Sequence, residues 1–286
     1  MKKFNLVQNM RARDDEDGFS DWLIQLGNGT LHTELPTANE DTITVPTQCI
    51  AKQSLVTELY GEMTADNVQE HCSRVILCPK NVEALDLNEE VLQQLPGDSN
   101  TYASVDTAVL DDQQESDSYP LEFLHSLTPS GMPPHLLNLK VGAVAMLLRN
   151  LNIQQGLCNG TCLLIRRLHR NVIDAEVLLG THAGKRVLIP RVILAPSDTD
   201  LPFILRCRQF PLWLAWAMMI NKAQGQTFDM VGIHLAQPVF THGQLYVAFS
   251  RAKSFSDIRV AITPTPRQGK QGDVWTTTNI VFHEVL

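Results

Sequence analysis

A chain of 286 residues has room for one large domain or two ordinary ones, and 44% hydrophobic against 19% charged residues excludes a disordered polypeptide. No window approaches the roughly 18 consecutive apolar residues of a membrane span. The N-terminal MKKFNLVQNM has neither the apolar core nor the small-residue cleavage site of a secretory signal, so an intracellular protein without a membrane partner is expected.

The formal net charge of −8 is unevenly distributed. Residues 1–139 hold 7 Lys+Arg and 23 Asp+Glu, a net of −16; residues 140–210 hold 10 and 4, a net of +6; residues 211–286 hold 6 and 4, a net of +2. The basic middle contains Arg166, Arg167, Arg170, Lys185, Arg186, Arg191, Arg206 and Arg208. Such a patch on an acidic protein suits a polyanion, and it is equally readable as ordinary arginines on strand faces.

In chain order, residues 4–7 read as extended. Phe19, Trp22, Leu23 and Leu26 follow the i, i+3, i+4, i+7 spacing of an amphipathic helix, with Gly27 as its stop. Residues 73–78 (SRVILC), closed by Pro79, predict a buried strand. Val82, Leu85, Leu92 and Leu95 mark a helix ending at Pro96-Gly97, and residues 102–105 a further strand. That strand–helix–strand rhythm predicts a parallel α/β sheet.

From 106 to 134 the pattern loosens into polar and turn-rich sequence. Residues 136–151, 161–168, 172–178 and 185–194 are then short β-like runs separated by tight turns, which favours a small antiparallel barrel. An apolar run, 212–220, leads into a polar box. After it come a strand at 231–235, a helix at 240–251 and a last strand at 258–262. The expected fold is α/β, with an α/β domain interrupted near residue 118 and resumed near 211.

The cysteines, Cys49, Cys72, Cys78, Cys158, Cys162 and Cys207, form no CxxC pair and no zinc-finger spacing, so reduced thiols and no metal site are expected.

Two polar boxes near the end of the chain carry cations beside apolar runs. They are 220–228 (INKAQGQTF) and 244–253 (QLYVAFSRAK). With residues 5–12 (NLVQNMRA), they resemble motifs four, five and six of superfamily-one DNA helicases. The petite-integration-frequency (PIF-like) type, which moves 5′ to 3′ on single-stranded DNA, is the nearest in pattern, and the intervening segments resemble the versions carried by Helitron transposons. The resemblance runs from residue 4 to about residue 262 and includes the tail NIVFHEVL.

This resemblance implies a second RecA-like lobe, built on a parallel sheet, from residues 1–118 and 211–286. Residues 119–210 would form a β-rich, barrel-like insertion that holds DNA. It implies that Arg11 and Arg251 reach the γ-phosphate of ATP, that Gln224 and Gly225 lie at the nucleotide, and that Asn221 and Lys222 face the DNA backbone. Arg166, Arg167 and Arg170 would then lie on the DNA track, and a nuclear location is implied. Guanidinium suits the γ-phosphate because it is planar, permanently charged and bidentate. Simpler readings stand beside these: Arg11 as a surface cap after a strand, Arg251 as a cation favoured at a helix C-terminus, and Gly225 as a helix stop. Two positions depart from the family pattern, Cys162 where arginine is usual and Met219 where a small hydroxyl residue is usual.

A motor of this kind also needs GxxxxGK[ST] for the triphosphate and a strand ending in Asp-Glu for Mg²⁺. Gly180, Gly184 and Lys185 have one spacer too few, and Arg186 stands where Ser or Thr is required. A first RecA-like lobe carrying both elements is expected upstream of Met1. The alternatives are a stand-alone single-stranded nucleic-acid-binding module and a decayed transposon remnant.

Overall fold

A computed structural model describes residues 18–282 and 284, apart from 32, 34–38, 40, 65, 66, 111–118, 128, 130, 179 and 197–200. The expected extended stretch at 4–7 and the box at 5–12, with Arg11, lie outside the described residues.

The chain divides into two compact units. The first comprises Met1–Glu62, Ser73–Leu87 and Ala217–Leu286. At its centre is a four-stranded parallel sheet in the order Ala217–Met219, Arg74–Cys78, Met230–Leu235, Ile258–Ile262. Strands covered on both faces read as continuous apolar runs rather than alternating ones. Accordingly Val75, Ile76, Leu77, Cys78, Val231, Ile233 and Leu235 are all fully buried.

The helix Phe19–Asn28 lays Phe19, Leu23 and Leu26 into the same core as Phe249 and Phe255. Trp22 packs at 4.8 Å from the Phe249 ring and 5.4 Å from the Phe255 ring. Its stop is Gly29, at φ 68°, and not Gly27: the Gly29 and Thr30 amides close onto the Leu26 and Gln25 carbonyls. Gly27 has another use. A Cβ there would stand 3.1 Å from the Tyr246 ring, so its hydrogen lets the helix Gln244–Phe249 approach.

Two further strands follow the one expected to be last. Gly269–Gln271 and Val274–Thr278 form an antiparallel sheet with Thr42–Val45.

The second unit comprises Met63–Cys72 and Asn88–Trp216. It contains a five-stranded antiparallel sheet in the order Leu212–Leu214, Val144–Leu147, Cys162–Leu168, Val172–Val177, Arg186–Pro190. A three-stranded sheet joins Val192–Leu194, Ile204–Gln209 and Val105–Val109, and Asn100–Ala103 pairs with Leu136–Leu139.

These pairings correct the sequence reading at two places. Residues 102–105 do not continue the parallel sheet, because Asn100–Ala103 and Val105–Val109 find antiparallel partners instead. The strands Asn100–Ala103 and Val105–Val109, which precede residue 119, thus pair within the second unit. It ends at Trp216 rather than 210, because Leu212–Leu214 pairs with Val144–Leu147, so the apolar run 212–220 is shared between two sheets.

Candidate functional site

The first box begins where the strand Ala217–Met219 turns into the 3₁₀ turn Ile220–Ala223. Ile220 and Ala223 are buried and anchor the turn, while Asn221, Gln224, Gly225 and Thr227 are exposed. Gly225 sits at φ +83° with no atom within 4 Å of a built Cβ. The backbone therefore requires glycine there for its conformation and not for lack of room. It stands one residue beyond the C-cap Gln224 of the 3₁₀ turn Ile220–Ala223, and so closes that turn rather than an α-helix. Phe228 then returns to the core and leads into Met230–Leu235.

The second box supplies the helix Gln244–Phe249, shorter at both ends than the expected 240–251. Gly243, at φ 66°, stands just before it, and Ser250 follows it as the C-cap. Arg251 lies in the turn beyond and is 6% exposed. Its Nε donates to the Val247 carbonyl at 3.0 Å, the interaction expected of a cation at a helix C-terminus. Its Nη1 donates to the carbonyls of Ala223 at 3.2 Å and Gln226 at 2.9 Å, and its Nη2 to the Ser250 hydroxyl at 2.8 Å. The return contact is backbone: the Phe228 amide donates to the Arg251 carbonyl at 3.0 Å. An ion pair of Lys253 Nζ with Asp229 Oδ1 at 2.7 Å adds a further link.

The two boxes are therefore one closed unit. The planar guanidinium fork adds a second donor to the Ala223 carbonyl, which already accepts from the Gln226 amide at 3.1 Å, and pairs the Gln226 carbonyl. The Arg251 side chain is turned back onto the protein and buried. It grips the loop on both sides of Gln224 and Gly225.

Lys222 is half-buried, and burial pushes its ammonium below the usual lysine value. Met219, at the position before the 3₁₀ turn, makes no side-chain cap. The groups on the open side of the turn are amides and backbone. The carboxylate next in sequence, Asp229, is engaged by Lys253. This set of amide donors fits the oxygens of a polyphosphate and does not fit Mg²⁺, which is held through carboxylates.

The three insertion arginines belong to the second unit and form a separate group. Arg166 is half-buried and its Nε pairs with Glu176 Oε2 at 2.9 Å. One strand over, Arg186 grips Asp174 through both Nε and Nη2. Arg167 and Arg170 are exposed, Arg167 directly across the sheet from Asp174 after an irregularity at residues 165–167. Other cations of the basic middle are used internally. Arg191 donates to the Ala103 carbonyl at 2.7 Å and lies over the rings of Phe210 and Tyr102, at 4.9 and 5.6 Å. Lys140 bonds the Leu95 carbonyl at 2.8 Å. The exposed cations of the basic middle are Arg186, held by Asp174, and Arg167, Arg170, Lys185, Arg206 and Arg208, the last two on the outward face of Ile204–Gln209, where exposed and buried residues alternate.

The sequence reading missed one constellation: Asp106, His125 and His135 converge in the second unit. No local spacing marks them, because they come from a strand, a short helix and a connecting segment.

Residues 122–168 match the family described as the 2B domain of DNA helicase Pif1. The chain is 35% identical over 196 residues to the ATP-dependent DNA helicase PIF1 of Danio rerio, covering 64% of this chain and 26% of that protein. Against the ATP-dependent DNA helicase PIF1 of Homo sapiens it is 34% identical, with the same coverage. Its fold is similar to the crystal structure of Pif1 helicase from Candida albicans, with TM-score 0.58 and 24% identity over 86% of this chain and 53% of that one. It is similar also to Bacteroides Pif1 in complex with ADP-AlF3 and ssDNA, with TM-score 0.56 and 24% identity over 91% and 53%. The chain thus spans about a quarter of the length of the curated relatives, at 26%, and about half of the solved ones, at 53%. The α/β fold with its parallel sheet matches the RecA-like structure of these helicases.

Proposed function

We infer that this chain, a PIF1-like helicase C-terminal region, supplies the nucleotide-responsive and DNA-holding part of an ATP-dependent DNA helicase. In this reading the two boxes answer to ATP and the β-rich unit holds single-stranded DNA. The observation that carries it is the position of Arg251, whose Nη1 holds the Ala223 and Gln226 carbonyls on either side of Gln224 and Gly225.

Phosphoryl transfer asks the protein mainly for position and positive charge. A bound Mg²⁺ would supply neutralisation of the charge that develops on the phosphates. A Walker-bearing lobe would have to hold both the triphosphate and that metal, since this sequence contains no GxxxxGK[ST]. Arg251 and Arg11 would approach from the opposite side. For Arg251 this means exchanging loop carbonyls for phosphate oxygens, an exchange of acceptors that the same fork geometry serves. Because Asn221 and Lys222 lie in the same turn as Gln224 and Gly225, displacement of the loop at the nucleotide would move the DNA-facing residues with it. That shared turn is the proposed coupling element.

DNA would be held mainly through its backbone, so affinity should be salt-sensitive and weakly sequence-dependent. The exposed Arg167 and Arg170 support this more than Arg166, which Glu176 already engages. Movement 5′ to 3′ and a nuclear location belong to the same proposal.

The test uses the full chain with a fluorescent single strand and with ATP. Salt-dependent binding without ATP hydrolysis is expected. Addition of the Walker-bearing lobe of a PIF1 relative should restore DNA-stimulated hydrolysis that Arg251→Ala abolishes. DNA-stimulated turnover by the chain alone, abolished by Arg251→Ala, would refute the division of labour. DNA affinity unchanged by Arg167→Glu with Arg170→Glu would refute the placement of the DNA.

A further inference from the structure

We propose that Asp106, His125 and His135 form a binding site for one Zn²⁺-class transition-metal ion within the β-rich unit. One ligand atom from each lies within 4.8 Å of the other two. His135 Nδ1 is 3.4 Å and His125 Nε2 is 3.9 Å from Asp106 Oδ2. Metal–ligand bonds of about 2.0–2.2 Å in tetrahedral array place neighbouring donors about 3.4 Å apart. The two separations from Asp106 are thus already close to those of a bound set.

A second observation points to a cation independently. The Asp106 side chain is 4% exposed, and its Oδ1 is buried without a hydrogen-bond partner. A carboxylate oxygen removed from water and left unpaired is costly, and a cation bound through both carboxylate oxygens, with the imidazoles on the Oδ2 side, would satisfy it. Two imidazoles with one carboxylate select a borderline-soft ion such as Zn²⁺ over Mg²⁺ or Ca²⁺, which take oxygen ligands.

The surroundings hold the donors in place. Ser104 Oγ donates to Asp106 Oδ2 at 2.6 Å and lies 2.7 Å from His135 Nδ1. The His135 carbonyl accepts from the Ser104 amide at 2.9 Å and from Gln209 Nε2 at 3.1 Å, which fixes the backbone that carries the ring. Asp106 is fixed by strand pairing opposite Cys207.

The two imidazoles are stacked, with centroids 3.5 Å apart and planes 11° from parallel. Stacked rings keep their lone pairs in parallel planes that do not meet at one point, so metal entry requires the rings to fan apart by side-chain rotation. His125 and His135 are 30% and 20% exposed, which provides both the room and the path. The bound ion would tie the strand Val105–Val109, the helix Leu121–Ser126 and the segment before Leu136–Leu139 together, with water in the fourth position.

The test titrates Zn²⁺ into the reduced full chain against a chromophoric chelator, after far-UV circular dichroism has shown each variant folded. One equivalent should bind and raise the Tm. His125→Gln and Asp106→Asn should each weaken binding by about a hundredfold or more. Co²⁺ in the unsubstituted chain should give tetrahedral d–d bands without thiolate charge transfer. This spectrum decides the matter even if a variant fails to fold. Absence of stoichiometric binding, unchanged affinity in folded His125→Gln, or a thiolate band assigning the metal to cysteines would each overturn the site.

Discussion

Arg251 Nη1 lies 2.9 Å from the carbonyl oxygen of Gln226, twenty-five positions earlier in the chain. Together with the bond to Ala223, it makes a buried cation the internal acceptor-filling group of a loop that has no regular hydrogen-bond ladder of its own. Arg251→Ala should lower the stability of the isolated chain by about 2–4 kcal/mol, because buried carbonyls lose a charged donor. Arg251→Lys should recover only part of this, since an ammonium cannot span the same acceptors. Urea unfolding of the two variants provides the measurement. A lysine variant as stable as the parent would show that the fork geometry is not what holds the boxes together.

Gly232 lies within the parallel sheet, where a Cβ would stand 3.2 Å from Ile76 Cγ1, 3.3 Å from Leu59 Cδ2 and 3.4 Å from Leu55 Cδ2. Gly232→Ala should therefore overpack the core under the helix Leu55–Tyr60 and cost about 1–2 kcal/mol, with Gly232→Val costing more. Thermal unfolding of both would check the order. A valine variant more stable than the alanine variant would contradict it.

The fork of Arg186 hydrogen-bonds Asp174 and holds its carboxyl below the usual 3.8. A carboxylate depressed in the folded state adds stability above its unfolded value, and that stability is lost as pH falls through the folded value. Asp174→Asn should remove this contribution, so its stability should fall less steeply than the parent's below pH 3.8. Parallel acid titrations of the two proteins, followed by circular dichroism, test the sign. A steeper loss in the variant would contradict the depressed value.

Among the insertion arginines, Arg166 is already neutralised by Glu176 while Arg167 and Arg170 face solvent. On single strands each phosphate contact adds about 0.7 to the slope of log affinity against log salt. Arg167→Gln with Arg170→Gln should reduce the slope by about 1.4, and Arg166→Gln by clearly less. Fluorescence anisotropy across a salt series measures both. The reverse ranking would mean that the Arg166–Glu176 pair opens on binding and that exposure misidentifies the DNA face.

Local patterning was readable wherever burial leaves a period in the sequence. The strand Arg74–Cys78 and the strand Met230–Leu235 announce themselves as continuous apolar runs because both of their faces are covered. The helix Phe19–Asn28 shows in the spacing of Phe19, Leu23 and Leu26 because a single face meets the core. The polar boxes at 220–228 and 244–253 were visible for the opposite reason, as amide- and cation-bearing segments set against apolar ones.

Strand partners were not readable. Tyr102 and its neighbours have the same β character whether they join a parallel sheet or pair backwards with Leu136–Leu139. The choice rests on backbone bonds and on Gln209, whose Nε2 reaches the Tyr102 carbonyl from 107 positions away. The direction of a long side chain was equally hidden. Arg251 was identifiable as a cation at the end of a helix, but nothing local shows whether the guanidinium turns outward or back onto the Ala223 and Gln226 carbonyls.

From its own residues the chain thus set its apolar strands, its amphipathic helix and the chemical character of its boxes, because these depend on neighbours a few positions apart. Its folding in three dimensions settled which strands pair, that Arg251 clamps the loop around Gln224 and Gly225, and that Asp106 meets His125 and His135. Those outcomes depend on long-range backbone pairing and on the need to satisfy buried polar groups, neither of which leaves a spacing in the sequence.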